Sequence, residues 1–131
     1  MIDEARQRAL IEAAKEAIDS AYAPYSNYKV GAAVLTADGR IFTGANIENA
    51  AYGECLCAER VAVAKAVFEG VRELAALATA AEDGRPAAPC GGCRQVIAEF
   101  SPDCLVIMAG DGETIVKSLS ELLPMAFKLK R

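Results

Sequence analysis

The stretch Cys104-Leu105-Val106-Ile107-Met108-Ala109-Gly110-Asp111-Gly112-Glu113-Thr114-Ile115-Val116 holds two brief apolar runs, Cys104–Ala109 and Thr114–Val116. Both have the length and side chains of strands, and the polar, glycine-containing link has those of a turn. Parallel neighbours need a crossover of roughly a dozen residues or more, so a link this short makes the two strands antiparallel partners.

Upstream, Gly91–Phe100 reads as a short helix stopped by Ser101-Pro102, and Glu82–Pro89 as a loop. Glu73–Ala80 is a short apolar strand, and Cys57–Glu69 is a helix closed by Gly70. Asn46–Cys55 is a loop of polar and small residues. Before it lie strands Tyr28–Leu35 and Arg40–Ala45, separated by Thr36-Ala37-Asp38-Gly39, whose Asp-Gly is a hairpin signal. Apolar residues from Ile2 to Ala21 recur at three- and four-residue spacing, predicting a first helix ended by Pro24. Downstream, Ser118–Leu123 predicts a last helical turn before Pro124. The order α-β-β-α-β-α-β-β-α implies a three-layer α/β/α fold: helices on both faces of a mixed five-stranded sheet, its last two strands antiparallel. With no repeat or linker, residues 1–131 read as one domain.

The chain has 131 residues, 53% hydrophobic and 24% charged, which suits a globular core and excludes a disordered chain. Twenty-seven residues are alanine, a density that favours close packing of helices. A net charge of −4 repels phosphate backbones and disfavours polynucleotide partners. Lys128, Lys130 and Arg131 read as a solvated tail. Met1–Ile11 lacks the pattern of a signal peptide, and no apolar run reaches the roughly 18 residues that a membrane span needs. Five cysteines, an odd number, point to reduced thiols in a cytoplasmic protein.

Four of those cysteines form two clusters, Cys55-Leu56-Cys57 and Cys90-Gly91-Gly92-Cys93, while Cys104 reads as a core residue. A Cys-x-x-Cys alone would also suit redox chemistry. Here each cluster begins a predicted helix, where the partial positive charge stabilises the thiolates that zinc binds. The chain contains no histidine, so a zinc site must use thiolates or carboxylates. Two arrangements compete: a closed structural site of Cys55, Cys57, Cys90 and Cys93, or an open one of Cys57, Cys90 and Cys93 with a position for water. Glu59, on the first turn of the Cys57 helix, favours the open site. A carboxylate beside a zinc-activated water can move its protons, whereas a structural site has no use for one. Arg60 and Arg94 are candidates to donate to the sulfurs and draw negative charge off the metal.

At these residues the sequence resembles the cytidine deaminases that act on free nucleosides. The matching runs are Cys57-Ala58-Glu59-Arg60 and Pro89-Cys90-Gly91-Gly92-Cys93-Arg94-Gln95-Val96. Ala23-Pro24-Tyr25-Ser26, Val30-Gly31-Ala32-Ala33, Asn46-Ile47-Glu48-Asn49-Ala50-Ala51-Tyr52, and Glu121-Leu122-Leu123-Pro124 with Phe127 extend the match over most of the chain.

The resemblance implies a cytidine-deaminase-like fold and one Zn²⁺ per subunit on Cys57, Cys90 and Cys93, with Cys55 a bystander. It implies that zinc-bound hydroxide attacks C4 of the cytosine ring while Glu59 carries the protons, turning cytidine or 2′-deoxycytidine into uridine or 2′-deoxyuridine plus ammonia. Asn46 and Glu48 would hold the ribose, Tyr28 would pack on the base where the family often has Phe, and Ile47 and Ala58 would complete the pocket. Phe127 would reach a neighbouring subunit's site in a homotetramer, to which the loop around Tyr52 also contributes. The implied role is pyrimidine salvage. Polynucleotide deaminases resemble this core but place a helix between the last two strands, which the four-residue link forbids. A blasticidin S-type deaminase, a Cys₄ structural module and a redox protein are the rival readings.

Overall fold

The computed structural model describes residues 2–130, so Met1 and Arg131, the ends of the two terminal segments discussed above, lie outside the described residues. α1 (Glu4–Ala17) starts at Asp3, whose carboxylate accepts the Arg6 N–H at 2.8 Å, and continues as a 3₁₀ turn over Ile18–Ser20. The helix is therefore shorter than the periodicity to Ala21 predicts. Ala21 is already extended, three residues before Pro24.

β1 (Val30–Thr36) and β2 (Ile41–Ala45) form the expected hairpin. Its turn is locked by the Thr36 hydroxyl, which accepts the Arg40 N–H and donates to Asp38. β1 begins two residues later than the sequence suggests, because the Asn46 side chain takes the Tyr28 carbonyl at 2.8 Å. After β2, the loop expected over 46–55 includes a 3₁₀ turn at Tyr52–Glu54 and closes through paired Ile47–Leu56 backbone bonds. α2 (Ala58–Phe68), β3 (Leu74–Ala81) and α3 (Gly91–Phe100) follow. β4 (Leu105–Ala109) and β5 (Thr114–Ser118) lead into α4 (Leu119–Leu122). Ser118 is the N-cap of α4 and not its first residue; it shares a reciprocal capping box with Glu121.

The five strands run in the order β2-β1-β3-β4-β5. β3 and β4 are parallel, joined by the α3 crossover, and every other pair is antiparallel. As the short link requires, β4 and β5 pair antiparallel, from Leu105↔Ser118 to Ala109↔Thr114.

Alternate strand residues feed two cores, because successive side chains point to opposite faces. On one face Leu10 and Ala14 of α1 pack on Ala33, Leu35, Ala76, Ala78, Ala80 and Ile107. On the other, Ala62, Val63 and Ala66 of α2 and Ile97 of α3 pack on Val34, Leu77, Val106 and Met108. Small residues set how near the helices come. A Cβ on Gly31 would lie 2.0 Å from the Ala14 carbonyl oxygen, and one on Gly44 would lie 2.4 Å from that of Ala58. The alanine content thus serves close layer spacing, and the N-termini of α2 and α3 lie at one end of the strands, after β2 and β3. No helix among the described residues is long and apolar enough to cross a membrane.

Candidate active site

Cys57 and Cys90 are the N-caps of α2 and α3, and Cys93 lies in the first turn of α3. The Cys90 thiol accepts the Cys93 N–H at 3.5 Å, so the cysteine itself supplies the cap that Ser or Asp usually provides. The sulfurs of Cys57, Cys90 and Cys93 all lie within 4.8 Å of one another, with Cys57 and Cys90 3.9 Å apart. Tetrahedral zinc at its usual ~2.3 Å bond length holds its sulfurs about 3.8 Å apart, so the trio fits the ion with little movement. Cys55 takes no part: its thiol accepts the Asn49 N–H at 3.2 Å and faces the Asn49 carbonyl. The two zinc arrangements left open by the sequence are thereby separated, in favour of three sulfurs. Cys104 is buried, and that burial pushes its thiol up to about 12, as befits a core residue.

The thiols share protons unequally. A hydrogen bond from Cys93, aided by Cys90 and the charge of Arg60, brings Cys57 down to about 6. The same contact, with burial, holds Cys93 up. A divalent cation seated among them would displace those protons, so its affinity falls in acid.

Glu59 is 6% exposed, in the first turn of α2 and beside the sulfurs. Burial, with the negative Cys57 adding, raises its carboxyl to about 7. A carboxyl poised there can both accept and return a proton near neutral pH. Arg60 lies against the trio. Its contact with Cys93 raises its pKa, and its buried Nε has no hydrogen-bond partner. Arg94 is a correction: its Nε donates to the Pro89 carbonyl and its Nη1 to that of Leu122, each at 2.8 Å. It braces the loop that carries Cys90 against α4 and does not supply charge to sulfur through these donors.

Of the remaining predicted residues, Tyr28, Asn46, Ile47 and Glu48 lie on two loops, one before β1 and one after β2, while Ala58 starts α2 and Phe127 follows α4. Both carboxylate oxygens of Glu48 are engaged: Oε1 accepts the N–H groups of Tyr25 and Ser26 at 2.9 and 3.0 Å, and Oε2 accepts the Ser26 hydroxyl. These bonds, the Ser26 hydroxyl foremost, hold the Glu48 carboxyl below its ordinary range. The Asn46 side chain donates to the Tyr28 carbonyl and accepts the Val30 N–H at 2.9 Å. Tyr28 has an exposed ring whose hydroxyl donates to Asp83 at 3.4 Å. Ile47 is exposed between Tyr22 and Leu56, and Ala58 is buried beside Glu59. Phe127 is 69% exposed on the segment after α4, its carbonyl held by Gln95 Nε2 at 2.8 Å.

Sequence reasoning gave no role to Ser26, Gln95 or Thr79. Thr79 donates to the Ala87 carbonyl at 2.6 Å and anchors the loop leading to Cys90. Ser26 and Gln95 both lie in quoted runs, but neither run says where its hydrogen bonds go.

A three-layer sheet with three thiols and a buried carboxyl at two helix starts defines a zinc-binding deaminase domain. A family model described as "Cytidine and deoxycytidylate deaminase zinc-binding region" matches residues 4–109. Among curated relatives, the cytidine deaminase of Halalkalibacterium halodurans is 49% identical over 120 residues, 90% of this chain and 91% of that protein. The blasticidin-S deaminase of Bacillus cereus is more distant, 29% identical over 90% of this chain and 89% of that protein. Among solved structures, the crystal structure of cytidine deaminase from Burkholderia pseudomallei superposes with a TM-score of 0.87. It is 52% identical and covers 92% of this chain and 98% of that one. The chain belongs to the cytidine deaminase family of zinc-dependent hydrolytic enzymes.

Proposed function

We propose that residues 1–131 form one catalytic domain that hydrolyses cytidine and 2′-deoxycytidine to uridine and 2′-deoxyuridine with release of ammonia, serving pyrimidine salvage in the cytoplasm. The observation that carries this reading is Glu59: a nearly buried carboxyl raised to about 7, two residues from the Cys57 thiol. Zinc on Cys57, Cys90 and Cys93 supplies a Lewis acid that lowers the pKa of the water to be added.

The chain's own groups do the rest. Glu59 accepts a proton from that water as its oxygen bonds to C4 of the cytosine ring, and gives it to N3. The second proton follows the same carboxylate to the amino group, the C4–N bond breaks, and ammonia leaves a C4 carbonyl. Arg60 offsets the negative charge of three thiolates. The Tyr28 ring packs on the base; Asn46 and Glu48 take the sugar hydroxyls, with Ile47 and Ala58 as walls. A Glu48 carboxylate in the sugar region repels a 5′-phosphate, which supports nucleoside over nucleotide.

Phe127 is the residue that a neighbouring subunit would receive in a homotetramer. An apolar groove of about 630 Å³ lined by Val61, Ala64, Phe68, Val96 and Phe100 supports association of copies. The direct test is to incubate zinc-loaded protein with cytidine and follow uridine by chromatography, with Glu59→Ala in parallel. Uridine from the parent and almost none from a folded, zinc-bound variant is expected. A variant as active as the parent would refute the proton role.

A further inference from the structure

One hydroxyl lies at the junction of the two proposed recognition elements. Ser26 Oγ donates to Glu48 Oε2 and accepts the Tyr28 N–H at 3.0 Å, while the Ser26 N–H donates to Glu48 Oε1. The Glu48 carboxylate and the backbone N–H of Tyr28 are therefore hydrogen-bonded to the same hydroxyl. Asn46 closes the unit by holding the Tyr28 carbonyl.

Lone-pair accounting sharpens this. Oε1 already accepts two N–H groups, and Oε2 accepts one hydroxyl, so Oε2 keeps the free lone pair of the carboxylate. The Ser26 hydroxyl thus determines which direction is left for a sugar hydroxyl. Ser26 is exposed and lies outside both cores.

We propose that Ser26 is a positioning residue for substrate: it fixes the orientation of Glu48 toward the sugar and couples it to Tyr28 on the base. This rests on the reading that Glu48 contacts the sugar. Ser26 itself touches no reacting atom, so its loss weakens nucleoside binding and leaves proton transfer at Glu59 intact.

The test is steady-state deamination of cytidine by the zinc-loaded enzyme and by Ser26→Ala, Ser26→Thr, Glu48→Ala and the Ser26→Ala/Glu48→Ala double variant. Zinc content and Tm are measured for each. Ser26→Ala should raise KM about tenfold, the scale of a lost hydrogen bond to a charged group, with kcat within about twofold. Ser26→Thr keeps the hydroxyl and should restore KM to within about threefold of the parent. In the Glu48→Ala background, removing Ser26 should add less than about twofold, because the group it orients is gone.

A full effect of Ser26→Ala in that background would overturn the proposal, as would failure of threonine to restore KM. So would a Ser26→Ala protein that loses zinc or unfolds, since the serine would then hold the fold. Two failures stay distinguishable. If Glu48→Ala leaves KM unchanged, the sugar assignment is wrong and this inference falls with it. If Glu48→Ala raises KM and Ser26→Ala does not, only the positioning role falls.

Discussion

The thiol trio and the 25–28/46–48 loop pair sit at the same end of the strands but are held by different means. Around the thiols, groups are fixed by their places on helix starts, and two of them by burial as well. Cys93 is fully buried, Glu59 nearly so, and removal from water is what raises the Glu59 carboxyl to about 7, while Cys57 is half-buried and Cys90 exposed. In the loops, Glu48 and Asn46 are only partly buried and Tyr28 is exposed; hydrogen bonds to backbone groups set their positions. Reaction chemistry needs perturbed protonation, which requires desolvation. Recognition of a sugar needs hydrogen-bonding capacity that a solvated ligand can reach, which burial would remove.

The largest effect should come from the buried side of this comparison. Cys93→Ala removes a sulfur that is 0% exposed, and is expected to abolish stoichiometric zinc and activity together. Cys55→Ala, whose lost thiol hydrogen-bonds to Asn49 and not to the trio, should keep both. Metal analysis of the two purified variants checks this. Zinc lost on Cys55→Ala and kept on Cys93→Ala would restore the four-thiolate site.

The two regions meet at Gly44, on β2 just before Asn46 and against the first turns of α2. A Cβ there would lie 2.4 Å from the Ala58 carbonyl oxygen and 2.5 Å from the Ala62 nitrogen, both backbone atoms that cannot turn aside. Gly44→Ala must therefore push α2 from the sheet, with an expected cost of about 1–3 kcal/mol from overpacking. Because α2 carries Glu59 while β2 leads into the sugar loop, kcat should fall more than a shift in stability alone explains. Denaturant unfolding beside kinetics at a temperature well below Tm separates the two. Unchanged stability would mean that the layers yield more easily than their alanine packing suggests.

Legibility divides along the same line. The β4–β5 pairing followed from a four-residue link and the two cysteine clusters from residue type at helix starts, because both signals are local, but choosing three sulfurs over four took Glu59 and the family resemblance. Arg94 shows the limit. Its place beside Cys93 suggested sulfur, but a helix turns about 100° per residue, and that rotation sends its guanidinium to Pro89 and Leu122. The start of β1 was placed two residues early because a residue 18 positions later, Asn46, claims the Tyr28 carbonyl. The Ser118–Glu121 capping box was written in the sequence as Ser-x-x-Glu, and reading Ser118 as helical concealed it. Local rules gave the frame, while side chains that reach across loops had to be seen.

The smallest expected effect belongs to the exposed loops and concerns pH. Glu48 has its carboxyl lowered below its ordinary range, by the Ser26 hydroxyl first and then by backbone N–H groups. Its ionised form is therefore favoured in the folded chain. That contribution is complete above the unfolded carboxyl's range and disappears as pH falls through the lowered folded value. Glu48→Gln cannot titrate, so the gap in Tm between parent and variant should be constant from pH 6 to 7, the flat range estimated from ordinary carboxyl values of about 4.3. Below about pH 4.5 it should narrow as the parent's carboxylate takes up its proton. A gap that instead widened in acid would mean that the loop prefers a neutral carboxyl, and that the bonds from Tyr25 and Ser26 do not hold in solution. Because the site is solvent-facing, the shift should be a few degrees at most, and Cys93→Ala supplies the contrasting scale.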